Sequence, residues 1–223
     1  MYGMIFCVVA DKKVKEVKTL PECDLAIFGF KGLGEVNYEQ ELKGVSDKFE
    51  DAARLSKASG CGVLCGCRTL SRGILRKSVS VADRGKLLGI SDMTHVLDGE
   101  DYKSGAGLGV YSIGGYKIGL CIENDLYFPD GMKAFSMCGC NAVVLVMEEL
   151  KSTLPVLLIR AYSHLYGVPI VMCAGNMAYY SEITGELASS FQEFSLFDVE
   201  PRSHYRVITT RAKGLYSEES EDY

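Results

Sequence analysis

With 223 residues, 48% of them hydrophobic, the chain is long enough to bury one sizeable core. A net charge of −5, with Lys and Arg scattered, argues against the basic face that nucleic-acid binding requires. Nine cysteines, an odd count lying mostly in apolar runs, suit reduced core thiols in a cytosolic protein better than a disulfide framework.

In chain order, Met4–Ala10 and Asp24–Phe30 read as buried strands joined by the Lys-rich connection Asp11–Leu20. Apolar residues at Leu42, Val45, Phe49, Ala52 and Ala53 give helical spacing over Glu41–Ser59, with Gly60 as its cap. Cys61–Cys67 is the next strand. Two hairpins follow, Val79–Ala82 with Leu87–Ile90, and Val110–Ile113 with Tyr116–Cys121 across Gly114-Gly115. Gly131–Cys138 reads as helix, Ala142–Met147 as strand, Pro155–Tyr166 as helix and Val168–Cys173 as strand. Ile183–Leu187 forms a turn and Tyr205–Thr210 the last strand, before an acidic tail at Ser217–Tyr223. No apolar run reaches the 18 or so residues of a membrane helix. The N-terminal apolar run is too short for a signal peptide, so a soluble cytoplasmic protein without membrane partners is expected. Alternating strands and helices, unbroken by a linker, predict one α/β domain over residues 1–216.

The stretch Gly119-Leu120-Cys121-Ile122-Glu123-Asn124-Asp125-Leu126-Tyr127-Phe128-Pro129-Asp130 resembles the carbon–nitrogen hydrolase, or nitrilase, superfamily. The flanks agree in order: Leu87-Leu88-Gly89, His95-Val96-Leu97, Gly99-Glu100-Asp101-Tyr102, Gly139–Val146, Arg160-Ala161 and Val171–Asn176. The resemblance spans roughly residues 4–210 and implies a four-layer α-β-β-α sandwich that dimerises through helices. It also implies a mechanism in which a Cys attacks the carbon, a Glu carries the proton and a Lys stabilises the oxyanion.

Position by position, those three groups are replaced. The nucleophile falls on Glu123, the base on Phe30 and the Lys on Met93, while a further family glutamate is matched by Glu100. A carboxylate attacking an amide would give an anhydride, and Phe30 and Met93 carry neither proton nor charge. A rescue reading makes Cys121 the nucleophile with Glu123 as its base, because residues two apart on an extended strand share a face. The bland reading of Cys121 is a buried, inert strand thiol.

Other candidates have ordinary explanations. Cys65-Gly66-Cys67 and Cys138-Gly139-Cys140, with Cys61 nearby, lack good zinc spacing and read as core, so no metal or cofactor is expected. His95, His164 and His204 have no partner at catalytic spacing, and Gly105–Gly109 lacks the Lys of a phosphate loop. The sequence therefore predicts a self-associating nitrilase homologue without hydrolase activity, binding a small-molecule ligand or acting as a regulatory module. The alternative is an amidase using Cys121 and Glu123, and a cysteine-based metal or redox protein comes third.

Overall fold

Most apolar runs of the sequence become strands in one of two sheets, while Leu154–Ile159 opens a helix. The computed structural model describes residues 3–200. The first half contributes β1 (Met4–Val9), β2 (Leu25–Phe28), β3 (Gly34–Asn37), α1 (Tyr38–Leu42), α2 (Lys48–Ser59), β4 (Gly62–Ser71), β5 (Ile74–Asp83) and β6 (Lys86–Asp92). The second contributes β7 (Gly109–Ile113), β8 (Tyr116–Ile122), α3 (Pro129–Met137), β9 (Ala142–Met147) and α4 (Leu154–Tyr166). Four further strands complete it: β10 (Ile170–Ala174), β11 (Met177–Ser181), β12 (Leu187–Ser190) and β13 (Phe194–Val199).

The first sheet runs β13-β1-β2-β4-β5-β6, with β3 alongside β4, and the second runs β12-β11-β10-β9-β8-β7. Each is parallel at its centre (β1, β2 and β4; β8, β9 and β10) and antiparallel outside, except that β3 also runs parallel to β4. Because side chains alternate along a strand, both sheets bury two faces and build three clusters. Leu25, Ile27, Leu64, Val79 and Val81 from one sheet meet Ile118, Leu120, Val144 and Val146 from the other. Cys7, Ala26, Phe28, Val63, Cys65 and Cys67 pack under Phe49, Ala52 and Leu55 of α2. Cys121, Val143, Leu145 and Met172 pack under Phe135 of α3 and Ile159 and Tyr162 of α4. The layers are helix, sheet, sheet, helix.

The helix expected over 41–59 is two helices. Gly44, at φ +67°, breaks the run; Leu42, the last residue of α1, and Val45 in the connection lie exposed at 87% and 72% rather than on a buried face. Glu41 caps the second helix instead, accepting from the amides of Lys48 and Phe49. The strands β3 and β13 do not stand out as apolar runs, whereas β11 and β12 flank the turn expected between strands at 183–187. The expected strand 205–210, His204 and the acidic tail lie outside the described residues.

Candidate functional site

A polar cluster closes one end of the inter-sheet core, and strand alternation explains how its members come together. On β4, Leu64 faces the other sheet, so Gly66 and Arg68 share that face; on β5, Val79 and Val81 place Lys77 there. On the opposite sheet Ala142, Val144 and Val146 lead to Glu148, one residue past the end of β9. Gly66 is required where it stands: a Cβ would lie 2.8 Å from Gly29 C and Phe30 N, so the chain carrying Phe30 could not pass.

Glu123 arrives differently. The strand β8 is extended to Ile122 (φ −126°), then Glu123 adopts φ +49° and begins a 3₁₀ turn through Tyr127. Left-handed backbone at a non-glycine residue costs about 1–2 kcal/mol. The twist turns a side chain of the wrong parity toward Lys77. The Lys77 Nζ lies 3.5 Å from Glu123 Oε1 and 3.7 Å from Glu148 Oε2. Arg68 pairs with the other oxygen of Glu148, whose own amide donates to Glu123 Oε1. Two cations from one sheet thus alternate with two carboxylates from the other. The Lys77 ammonium also stands over the rings of Tyr102, 5.1 Å from the centroid, and Phe30, at 6.0 Å.

The expected setting of Glu123, a carboxyl between two apolar side chains, is corrected by this lysine. Met93 is wholly buried in the inter-sheet core, and its amide donates to the carbonyl of Lys77 at 2.8 Å. The ammonium comes from the neighbouring strand. Sequence spacing to His95 concealed it, yet the alternation Lys77, Val79, Val81 could have revealed it. Phe30, only 4% exposed, lines a cavity of about 250 Å³ with Gly29, Lys31, Arg68 and Glu148. Glu100, Glu123, Lys77, Asn124 and Glu148 line another of about 260 Å³. Glu148 borders both. Glu100 accepts from Asn124 Nδ2 at 2.9 Å and from the Leu97 amide at 3.2 Å.

Cys121 is not among the residues lining either cavity. Its side chain packs with Leu126, Met132 and Phe135 beneath the outer helices, and burial pushes its thiol well above the usual range. Because the extended backbone ends at Ile122, the shared face expected for Cys121 and Glu123 does not form.

Burial also raises the Glu123 carboxyl above its ordinary 4.5; the Lys77 ammonium opposes the shift and the Glu100 carboxylate adds to it. A carboxyl that binds its proton more tightly when folded stabilises the fold below its unfolded value and loses that contribution as pH rises through the folded one. Wild type should therefore lose stability relative to Glu123→Gln as pH rises from about 4.5, the value of the free group. Thermal melts of both proteins across pH 4–8 would check the slope, and parallel curves would refute it.

Asp125 anchors the turn. Its carboxylate accepts from the Thr94 amide (2.9 Å), Thr94 Oγ1 (2.7 Å) and the His95 amide (2.8 Å), and pairs with His95 Nδ1 at 2.9 Å. The His95 ring stacks on Phe128 with centroids 3.8 Å apart. His164 Nδ1 meets the carbonyl of Ile183. Cys65 and Cys67 are core side chains under α2, Cys140 lies under the outer helices and Cys138 is exposed. Among the described residues no three His, Cys, Asp or Glu side chains gather in a metal-binding arrangement, and no helix is long and apolar enough to cross a membrane.

No family model matches the sequence, and no curated protein resembles it at a significant level. Solved structures do. Nit3 of Saccharomyces cerevisiae, a member of branch 10 of the nitrilase superfamily, superposes with a TM-score of 0.72 at 14% identity, over 99% of this chain and 97% of that one. The fold is that of the nitrilase superfamily. A mutant of the Nesterenkonia AN1 amidase, from the same superfamily, gives a TM-score of 0.70 at 15% identity, covering 95% and 97% of the two chains. Another form of that amidase, with a TM-score of 0.68 at 15% identity over 94% and 99%, carries acrylamide added to its active-site cysteine. In this chain the residue that follows β8 is Glu123, in contact with Lys77.

Proposed function

We propose that this nitrilase-fold chain has lost carbon–nitrogen hydrolase activity and works as a binding or regulatory module. One observation carries the reading. At the end of β8 stands a carboxylate engaged by Lys77 and by the Glu148 amide, and neither cavity beside it is lined by a thiol. A covalent acyl route needs an activated nucleophile with a base in reach. Glu123 is tied up as an acceptor, and Phe30 can move no proton. The rival reading, an amidase working from Cys121, would need that thiol to leave the cluster under α3 and α4. Incubation with a panel of amides, nitriles and ureas should give no turnover above buffer. Turnover abolished by Cys121→Ala or Glu123→Ala would overturn the proposal.

We further infer self-association through the outer helical layer. Its helices α3 and α4 leave Met137 (70% exposed), Leu157 (55%) and Leu154 (48%) in solvent. The resemblance to a family that pairs through helices supports the same face. Light scattering should give a dimer for wild type and a monomer for Leu157→Glu; a wild-type monomer would contradict it.

A further inference from the structure

The side chain of Glu148 stands where the two cavities meet. Its carboxylate lies between two cations, Arg68 from β4 and Lys77 from β5, one to each oxygen. It borders both cavities, about 250 and 260 Å³, and so forms part of the wall between them. The residue follows the last residue of β9, and its side chain keeps about 33% exposure, whereas that of Lys77 keeps 10%. Lys77 is thus held in the fold, while the Arg68 guanidinium, about 30% exposed, and the Glu148 carboxylate, which hangs from a strand end, both have solvent beside them.

Charge shows what would bind if that side chain swung out. Arg68 would lose its ion pair with Glu148, while Lys77 would keep Glu123 at 3.5 Å, so a guanidinium would stand without that partner at the edge of a low-dielectric core. A planar guanidinium beside an ammonium is suited to a carboxylate, which can accept from both. The Phe30 ring beside them offers one apolar surface for a short hydrocarbon body, in a cavity that Lys31 also lines.

We propose that Arg68 and Lys77 form a binding site for small organic carboxylates, which Glu148 occupies in the resting protein and which an acid ligand enters by displacing it. This rests on the reading of the pocket as a binding site rather than a hydrolytic one. The tethered side chain competes at high effective concentration, so wild type is the weak binder.

The experiment uses propionate, which matches the glutamate side chain beyond its Cα. Calorimetry should show propionate binding Glu148→Ala about tenfold more tightly than wild type, a charged hydrogen-bonded contact having been vacated. Glu148→Gln, which keeps the shape and removes the charge, should lie between them and serves if Glu148→Ala does not fold. Adding Arg68→Met to Glu148→Ala should remove the gain, and propionamide should not bind. Equal affinity in wild type and the folded Glu148 variants would overturn the proposal. So would affinity unchanged by Arg68→Met, or phosphate and propionamide binding as well as propionate. Turnover of propionamide by wild type, measured in the same samples, would defeat the non-hydrolytic reading, and it is scored apart from propionate affinity.

Discussion

Replacing Lys77 by Met should unfold this protein at a temperature lower by roughly 6–20 °C, the largest loss expected from any one side chain in the cleft. The reason is asymmetry. The lysine and Glu123 side chains are each 10% exposed, and Glu148 completes the contact. Removing the cation leaves two neighbouring carboxylates with less compensation, and breaking a buried pair in this way costs about 3–5 kcal/mol. For a domain of this length each kcal/mol moves the melting temperature by about 2–4 °C. A double variant, Lys77→Met with Glu123→Leu, should recover much of the loss, because no charge is then stranded at that end of β8. Differential scanning calorimetry on the three proteins gives the comparison. A single variant melting within a degree or two of wild type would show that the network is solvated rather than buried.

Asp125→Ala should cost about as much, roughly 3–5 kcal/mol, through neutral groups left unpaired rather than a charge. The aspartate is 5% exposed and gathers the two amides and the hydroxyl of Thr94 and His95, together with the imidazole. Donors buried without a partner cost about 1–3 kcal/mol each, less where water can enter. The loss should also loosen the joint between the turn after β8 and the segment after β6, releasing His95 from Phe128. Amide hydrogen exchange at Thr94 and His95 would report it, with protection falling in Asp125→Asn by less than in Asp125→Ala. Unchanged protection in both would mean that the backbone, not the carboxylate, holds the joint.

The central strands were legible because their apolar runs are unbroken. Ala142–Met147, wholly buried, and the Gly114-Gly115 hairpin fall where the pattern puts them. The break at Gly44 was not, because Leu42 and Val45 continue the helical spacing although both sit in solvent. At the site, the positions of Glu123 and Glu100 could be read from the neighbouring motif, and both line one cavity. Lys77 was missed because it reaches the pocket across a strand pair, beside Met93, rather than along the sequence. Arg68 and Glu148 were missed for a related reason. Each continues an inward-facing series by one more step of two, and charge at the end of an apolar series ordinarily signals solvent. The reversal at Glu123 lies in a single torsion, φ +49°, which residue identity does not announce.

Everything above turns on whether the end of β8 presents a reactive thiol. Intact-mass measurement after incubation with fluoroacetamide, followed by peptide mapping, tests that directly. A mutant of the Nesterenkonia AN1 amidase carries the acetamide moiety of this reagent at its active-site cysteine. Here Cys121 should stay unmodified, buried at 2% exposure beneath α3 and α4. A single stoichiometric adduct on Cys121 would contradict the account.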